Sequence, residues 1–322
     1  MQQFSQFLVA CWMVLVVVGS LAAQTSPPVF YAFLRAESGT RGAALGGAAV
    51  ALIGNVEDSF YNPAILSTVP QKAVQFTFEK HVLDINAGLV ATSFPVQELF
   101  SNASGIADVG VQYMDYGAFE RSDATGNPLG SFRASHLALH LGYSNEVDTL
   151  FYYGARLKFI ASTLERYAAT ALAVDVGLLY LVPGHRTTVG FAIRNVGMQL
   201  SATGAVEESL PIDVRIGLSH KPRGLPLLLN VALVQLADAY QKFSDLFDRI
   251  AIGGEWYFGK VVRLRIGYNQ FRRVNMRLEH RSGWSGFSGG LGIQWDRYRI
   301  DYAVLAFGVQ SFIHRLGVGI QW

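Results

Sequence analysis

Four short patterns in this sequence hold residue types that do chemistry in other proteins. Gly286-Phe287-Ser288-Gly289-Gly290 matches G-x-S-x-G, in which a sharp strand-to-helix turn exposes a nucleophilic serine. Here the pattern leads into an alternating apolar and polar run ending at Trp295, so no helix follows and the serine lacks its elbow. His136 and His140 stand four apart, as two metal ligands on a helix would, but HLALH lacks the Glu of H-E-x-x-H and also alternates. On a strand the two rings lie roughly 13 Å apart, too far to share an ion. Gly42-Ala43-Ala44-Leu45-Gly46-Gly47 is not G-x-G-x-x-G, and no βαβ context precedes it. Glu57 and Asp58 have the chemistry of an acid/base pair, yet they sit beside the turn dipeptide Asn62-Pro63. The only cysteine is Cys11, inside an apolar N-terminal run, so a processed chain has no thiol for a disulfide, a metal or a nucleophile. These residues point to no enzyme, no metal and no cofactor.

The elements that position them are strands. Hydrophobic residues make up 51% of the chain and charged ones 16%, yet after the N-terminus no run nears the roughly 18 apolar residues of a membrane-spanning helix. Abundant Gly, Tyr and Phe with few charges favour a membrane β-barrel over a large soluble core. A net charge of +2 gives no footing for nucleic acid. From Ala73 to Trp322 the alternation predicts about fourteen strands, an even number within the range of outer-membrane barrels. Most windows have about the 9–11 residues that a tilted strand needs to cross a bilayer.

Cost assigns the faces. In Val261–Gln270, Val262, Leu264, Ile266 and Tyr268 share one side, and Arg263, Arg265 and Asn269 share the other. An arginine facing lipid at the midplane costs about 2–4 kcal/mol, so the arginines mark the lumen. The same split puts Arg156, Lys158, Asp213, Arg215, Arg299 and Asp301 inside. Odd-numbered connections are expected to be long and extracellular, among them Gly117–Ala134, Val196–Leu210, Ala237–Asp248 and Phe271–Ser285. Even-numbered ones read as tight turns, except Pro95–Ile106, which is long for its class. Tyr143, Tyr180, Trp256, Trp295 and Trp322 fall near the ends of even-numbered strands, on their apolar faces, as a membrane-interface girdle at one rim would.

Residues 1–23 read as a secretory signal with its apolar core at Phe7–Val18, although no Lys or Arg precedes that core. Residues 24–72 form the second unit and 73–322 the barrel. Within 24–72, the stretch Gly39–Leu66 is rich in Gly and Ala and fits neither a helix nor strands. A barrel this wide leaves a lumen, and irregular backbone at membrane depth is acceptable when protein encloses it. The segment is therefore expected to be a hatch. Its tethers would be Arg41, Gly46, Gly47, Glu57, Asp58, Asn62 and Pro63, with Glu57 and Asp58 pairing with lumenal Arg156, Arg194, Arg263 or Arg265. His136 and His140 are expected to bond to the same segment.

The runs RGAALGGAAVAL and DSFYNPAIL resemble the N-terminal hatch signature of outer-membrane barrels related to the long-chain fatty acid transporter FadL. Within that group the chain is most similar to the PorV/PorQ family of the type IX secretion system. KFIASTLERYAATALAVDVGLLY, IRNVGMQL, LPIDVRIGLSHK, RLRIGYNQFRR and the tail FGVQSFIHRLGVGIQW look most like PorQ members. The resemblance implies a fourteen-stranded barrel with a hatch and no enzymatic activity, in the outer membrane of a Gram-negative bacterium. It also implies an anchor and docking role in a surface attachment complex, beside partners resembling PorU, PorV and PorZ, with lipopolysaccharide as the attachment target. The docking surface would be the Phe271–Ser285 loop with Arg272, Arg273, Arg277 and Arg281. A transporter of hydrophobic small molecules with a FadL-type lumen is the alternative.

Overall fold

The computed structural model describes residues 31–70, 72–81, 84–184, 186–203, 208–238, 242–276, 283–308 and 311–322. The expected signal, Arg277 and Arg281 lie outside them. Fourteen strands run in chain order: β1 (Ala73–Lys80), β2 (Asn86–Pro95), β3 (Ile106–Ser122), β4 (Pro128–Glu146), β5 (Phe151–Leu164), β6 (Tyr167–Leu181) and β7 (Thr187–Ala202). They continue as β8 (Asp213–His220), β9 (Leu227–Leu233), β10 (Ile250–Phe258), β11 (Val262–Asn269), β12 (Phe287–Trp295), β13 (Tyr298–Phe307) and β14 (Ser311–Gln321). Each pairs antiparallel with the next, and β1 pairs with β14 from Ala73↔Gln321 to Lys80↔His314, so the sheet closes on itself.

Alternation sorts the two faces as the arginine cost requires. Phe76, Leu139, Val176, Ile266, Leu291, Ile300 and Leu316, spread around the wall, expose 46–52% of their surfaces outward, while Arg156, Arg215, Arg265 and Asp301 on the opposite face expose 2% or less. An apolar belt that encircles the molecule is far larger than the patches soluble proteins leave exposed, and lipid is the solvent that suits it. The rim aromatics Tyr143, Tyr180, Trp256, Trp295 and Trp322 all lie on or just past the final residues of even-numbered strands, with outward parity.

Three expected loops differ. Gly117–Ala134 is not open loop, because β3 and β4 continue as a two-stranded ribbon in which Phe119 and Phe132 pair and stack at 5.2 Å. The neighbouring strands stop earlier, at Asn86↔Asp115 and Ala134↔Leu164, so the ribbon stands clear of the wall. Asp123 closes its tip by accepting from the Thr125 and Asn127 amides, both at 2.9 Å. Val196–Leu210 is also part strand, since β7 runs to Ala202. A bulge at Arg194 and Asn195 turns two consecutive side chains inward and reverses the alternation beyond, so Val196, Met198 and Leu200 face out. Asn195 takes φ +62 there, and its amide bonds the Asp175 carboxylate at 2.8 Å. The third, Phe271–Ser285, is preceded and opened by a short helix, Gln270–Asn275, capped by the Asn269 side chain.

Candidate functional site

Residues 31–69 lie inside the wall. This stretch has one turn of α-helix, Thr40–Ala44, and three 3-10 turns, Ala32–Arg35, Val56–Phe60 and Pro63–Thr68. The helix packs on β11 to β14, and the Pro63–Thr68 turn packs on β3 to β6, which a segment touching opposite arcs of a closed sheet does only from within. Close approach depends on wall glycines. Pro63 backs onto Gly154 and Asn62 onto Gly177, while Leu45 meets Gly253 and Gly267. Gly46 and Gly47 take φ of +70 and +80, which ends the helix and presses the Gly46 backbone onto that of Tyr268. Asn62 reaches both ways, donating to Val50 O at 2.8 Å and to Leu178 O of β6 at 3.0 Å, while its Oδ1 caps Ala64 N.

Replacing Gly154 by Ala is expected to loosen this dock. The new Cβ falls 2.5 Å from the Pro63 carbonyl carbon, a backbone atom that cannot swing aside. Overpacking of this kind costs about 1–3 kcal/mol. A lowered thermal transition, together with faster proteolysis inside residues 31–69, is the expected readout; an unchanged transition would mean that the wall does not need the approach.

The charged network inverts one expectation. Glu57 and Asp58 pair with none of Arg156, Arg194, Arg263 and Arg265. Glu57 instead accepts the Thr40 and Arg41 amides, both at 3.0 Å, at the start of the helix within its own segment. Asp58 pairs with Arg41 at 3.0 Å. The lumenal cations are neutralised by carboxylates of the wall: Arg156 by Asp108, Lys158 by Asp175 at 2.6 Å, Arg215 and Arg194 by Asp213 at 2.7 and 3.3 Å, and Arg265 by Asp301 at 2.6 Å. Arg263, half-buried, bonds Gln294 and lies 3.8 Å from Glu255. The bridge between segment and wall is carried by Arg41, which reaches Glu255 of β10 at 2.8 Å. It is joined by Arg156, which donates to Ser59 O and Ser59 Oγ at 2.7 Å each, by Arg194, which donates to Leu34 O, and by Arg299, which bonds Asn55. Burial of so many charges is tolerable only because the cations have carboxylates beside them and Glu57 accepts two backbone amides.

His136 and His140 meet the segment through their rings, not through hydrogen bonds: Phe33 stacks on His136 at 4.6 Å and Phe60 meets His140 edge-on at 5.0 Å. Ser288 lies in β12, where its hydroxyl donates to Ala44 O at 3.1 Å, a docking contact and not an elbow. Of the arginines expected on an exposed docking loop, Arg272 instead turns inward to Glu37 at 3.3 Å, and Arg273 is only partly exposed.

Above the segment, at the end of the barrel that carries the odd-numbered connections, lies a cavity of about 630 Å³. Phe33, Met114, Tyr116, Phe271, Phe307 and Ile313 give it apolar walls, and Arg272, Arg315, Glu79 and His81 line one polar side. The Glu79 carboxylate is held between Arg315 and His81, the latter at 3.1 Å. The volume falls within the ordinary range of small-molecule sites. Past Ala36 and Glu37 it narrows to a cleft of about 10 Å³ against Gly88 and Gln112, which holds one water at most. Parity along the strands already places Asp213 and Asp301 in the lumen; Phe33, Asp108 and Glu255 are candidate positions that sequence reasoning did not single out, although the same parity was the available signal for the two carboxylates.

No family model and no curated protein matches the chain by sequence. Solved structures do match in shape. The Pseudomonas putida toluene transporter TodX superposes with a TM-score of 0.57 at 12% identity, covering 86% of this chain and 95% of its own. The Ralstonia pickettii toluene transporter TbuX gives 0.57 at 14%, covering 88% and 96%. A Pseudomonas aeruginosa FadL homologue gives 0.55 at 12%, covering 91% and 99%. At such identities the likeness speaks for the fold alone: this chain is a closed fourteen-stranded antiparallel barrel, similar in shape to these proteins.

Proposed function

We propose that this chain is a non-enzymatic outer-membrane barrel that admits hydrophobic small molecules from outside through the loop-end cavity. The observation that carries the reading is that cavity, of ligand size, walled by aromatic and aliphatic side chains and floored by the irregular segment. The neighbours named as toluene transporters and as a FadL homologue support the same class. Passage needs the 36–38 backbone to move, because the cleft beyond it is too narrow for any solute larger than water. Ala36, which lines both spaces, is the neck. In liposomes, the intact protein is expected to speed entry of a labelled monoaromatic hydrocarbon, and Ala36→Phe to remove most of that gain. Entry no faster than in protein-free liposomes would sink the proposal.

A second reading is favoured by how firmly the segment is bolted. Arg41, Arg156, Arg194 and Arg299 all cross from one to the other, which suits a sealed anchor. With the PorV/PorQ resemblance, the chain would then be a docking component of a type IX secretion attachment complex, in contact with lipopolysaccharide and with proteins resembling PorU, PorV and PorZ. Affinity capture of the tagged protein from outer membranes separates the readings. Secretion components without copurified hydrocarbon favour the anchor; hydrocarbon without such components favours the transporter.

A further inference from the structure

At the opposite rim, where the even-numbered turns lie, the β6–β7 and β8–β9 turns frame a groove of about 350 Å³ lined by Gly184, Arg186, Thr187, His220 and Arg223. We infer that this groove is a binding site for the headgroup of an anionic phospholipid in the leaflet that meets the turn-side rim.

Three observations converge on it. The first is charge. Arg186, Lys221 and Arg223 are exposed, and among the described residues none of the three is in an ion pair. The nearest acidic residues in chain order around the rim, Glu146 and Asp148, belong to the β4–β5 turn, and Asp148 is occupied in capping its own turn at Leu150 and Phe151. The guanidinium fork suits phosphate oxygens, and clustered cations without carboxylates select an anion.

The second is direction. Thr187 and His220 are a cross-strand pair two residues along from Val189↔Leu218, on the face opposite Arg194, Asp213 and Arg215. The inward face is therefore the other one, and the groove opens toward lipid at headgroup depth. Directly along the wall from it stand Leu218, Leu229 and Val231, exposed by 40–44%, where the acyl chains of the same lipid would lie. A free phosphate would use the cations and leave that apolar strip without a role.

The third is construction. The two turns are tied together by Lys221 N donating to Arg186 O at 2.8 Å and by Arg186 Nη1 reaching Pro222 O at 3.5 Å. The Thr187 hydroxyl and His220 Nδ1 are 2.8 Å apart, which fixes the imidazole and leaves Nε2 as its polar atom for a ligand.

The test is native mass spectrometry of the full-length protein in detergent, titrated separately with phosphatidylglycerol, phosphatidylcholine and inorganic phosphate. Wild type is expected to retain phosphatidylglycerol roughly tenfold better than phosphatidylcholine, and the R186Q/R223Q double variant to lose that preference. Both arginines are exposed turn residues, and heat-modifiable gel migration checks that the variant is folded. Arg297→Gln, at the same rim but in the β12–β13 turn beside Asp296, should keep the preference. Equal retention of the two lipids, or a preference unchanged in R186Q/R223Q, overturns the site. Displacement of phosphatidylglycerol by equimolar inorganic phosphate overturns its assignment to a lipid.

Discussion

A chain lacking residues 24–72 is expected to insert as a barrel and to conduct ions in a planar bilayer far better than the intact protein. The reason it should still insert lies in how the lumen is neutralised. Asp108–Arg156, Asp175–Lys158, Asp213–Arg215, Asp301–Arg265 and Glu79–Arg315 are all pairs within the wall, so most lumenal charges keep their partners when the segment is gone. Glu255 loses Arg41 but retains Arg265 at 3.5 Å. The reason it should conduct is width: a barrel of about eight strands is filled by its own side chains, whereas fourteen strands leave space that something else must occupy. Phe33, Leu45, Leu52, Phe60, Tyr61 and Leu66, all buried, occupy it here. Water would replace them, and the paired charges of the wall would then line an aqueous pore. Single-channel recording of both chains decides the matter; equal conductance would mean that residues 24–72 do not close the lumen.

The contrast between what the sequence shows and what it hides follows from periodicity. Side-chain direction alternates strictly along a strand, so the placement of Arg156, Arg215 and Arg265 in the lumen could be read from a single strand and one energy cost. Which carboxylate meets which arginine could not. Arg156 and Asp108 are 48 residues apart, and their meeting depends on the register of β3, β4 and β5, which alternation does not encode. Glu57 and Asp58 were the conspicuous acids near a turn, so they attracted the lumenal arginines on paper. In the fold Glu57 satisfies helix amides that are orphaned in any short helix, a local demand that outweighs a distant one. The β3–β4 ribbon was hidden for a different reason. Glycine is the commonest mark of a loop, yet Gly117, Gly126 and Gly130 take positive φ within or beside a hairpin that keeps its pairing. The reversal of alternation after Asn195 was equally silent, because a bulge adds a residue without any marker in residue type.

Glu255→Gln is expected to weaken the docking of the inner segment more than any single change to the segment's own carboxylates. Glu255 is fully buried and is the meeting point of three arginines: Arg41 of the segment at 2.8 Å, Arg265 at 3.5 Å and Arg263 at 3.8 Å. The amide keeps the shape and removes the charge, so Arg41 is left with Asp58, and Arg265 with Asp301. Breaking one partner of a buried ion pair costs about 3–5 kcal/mol, because the other charge stays in a poorly solvated place. Arg41→Met should cost at least as much, since Glu255 then still has two arginines beside it but buried Asp58 loses the arginine it pairs with. If the two residues act through their contact, the double variant E255Q/R41M should lose less than the sum of the singles, with a coupling of about 0.5–3 kcal/mol. Thermal unfolding followed by heat-modifiable migration measures the stability, and bilayer conductance measures whether the lumen leaks. Additive losses with no leak would place Glu255 in the wall's own ion-pair ladder, with Arg41 a bystander to it. A coupled loss accompanied by leak would make the Arg41–Glu255 bridge the bolt on which closure of the barrel depends.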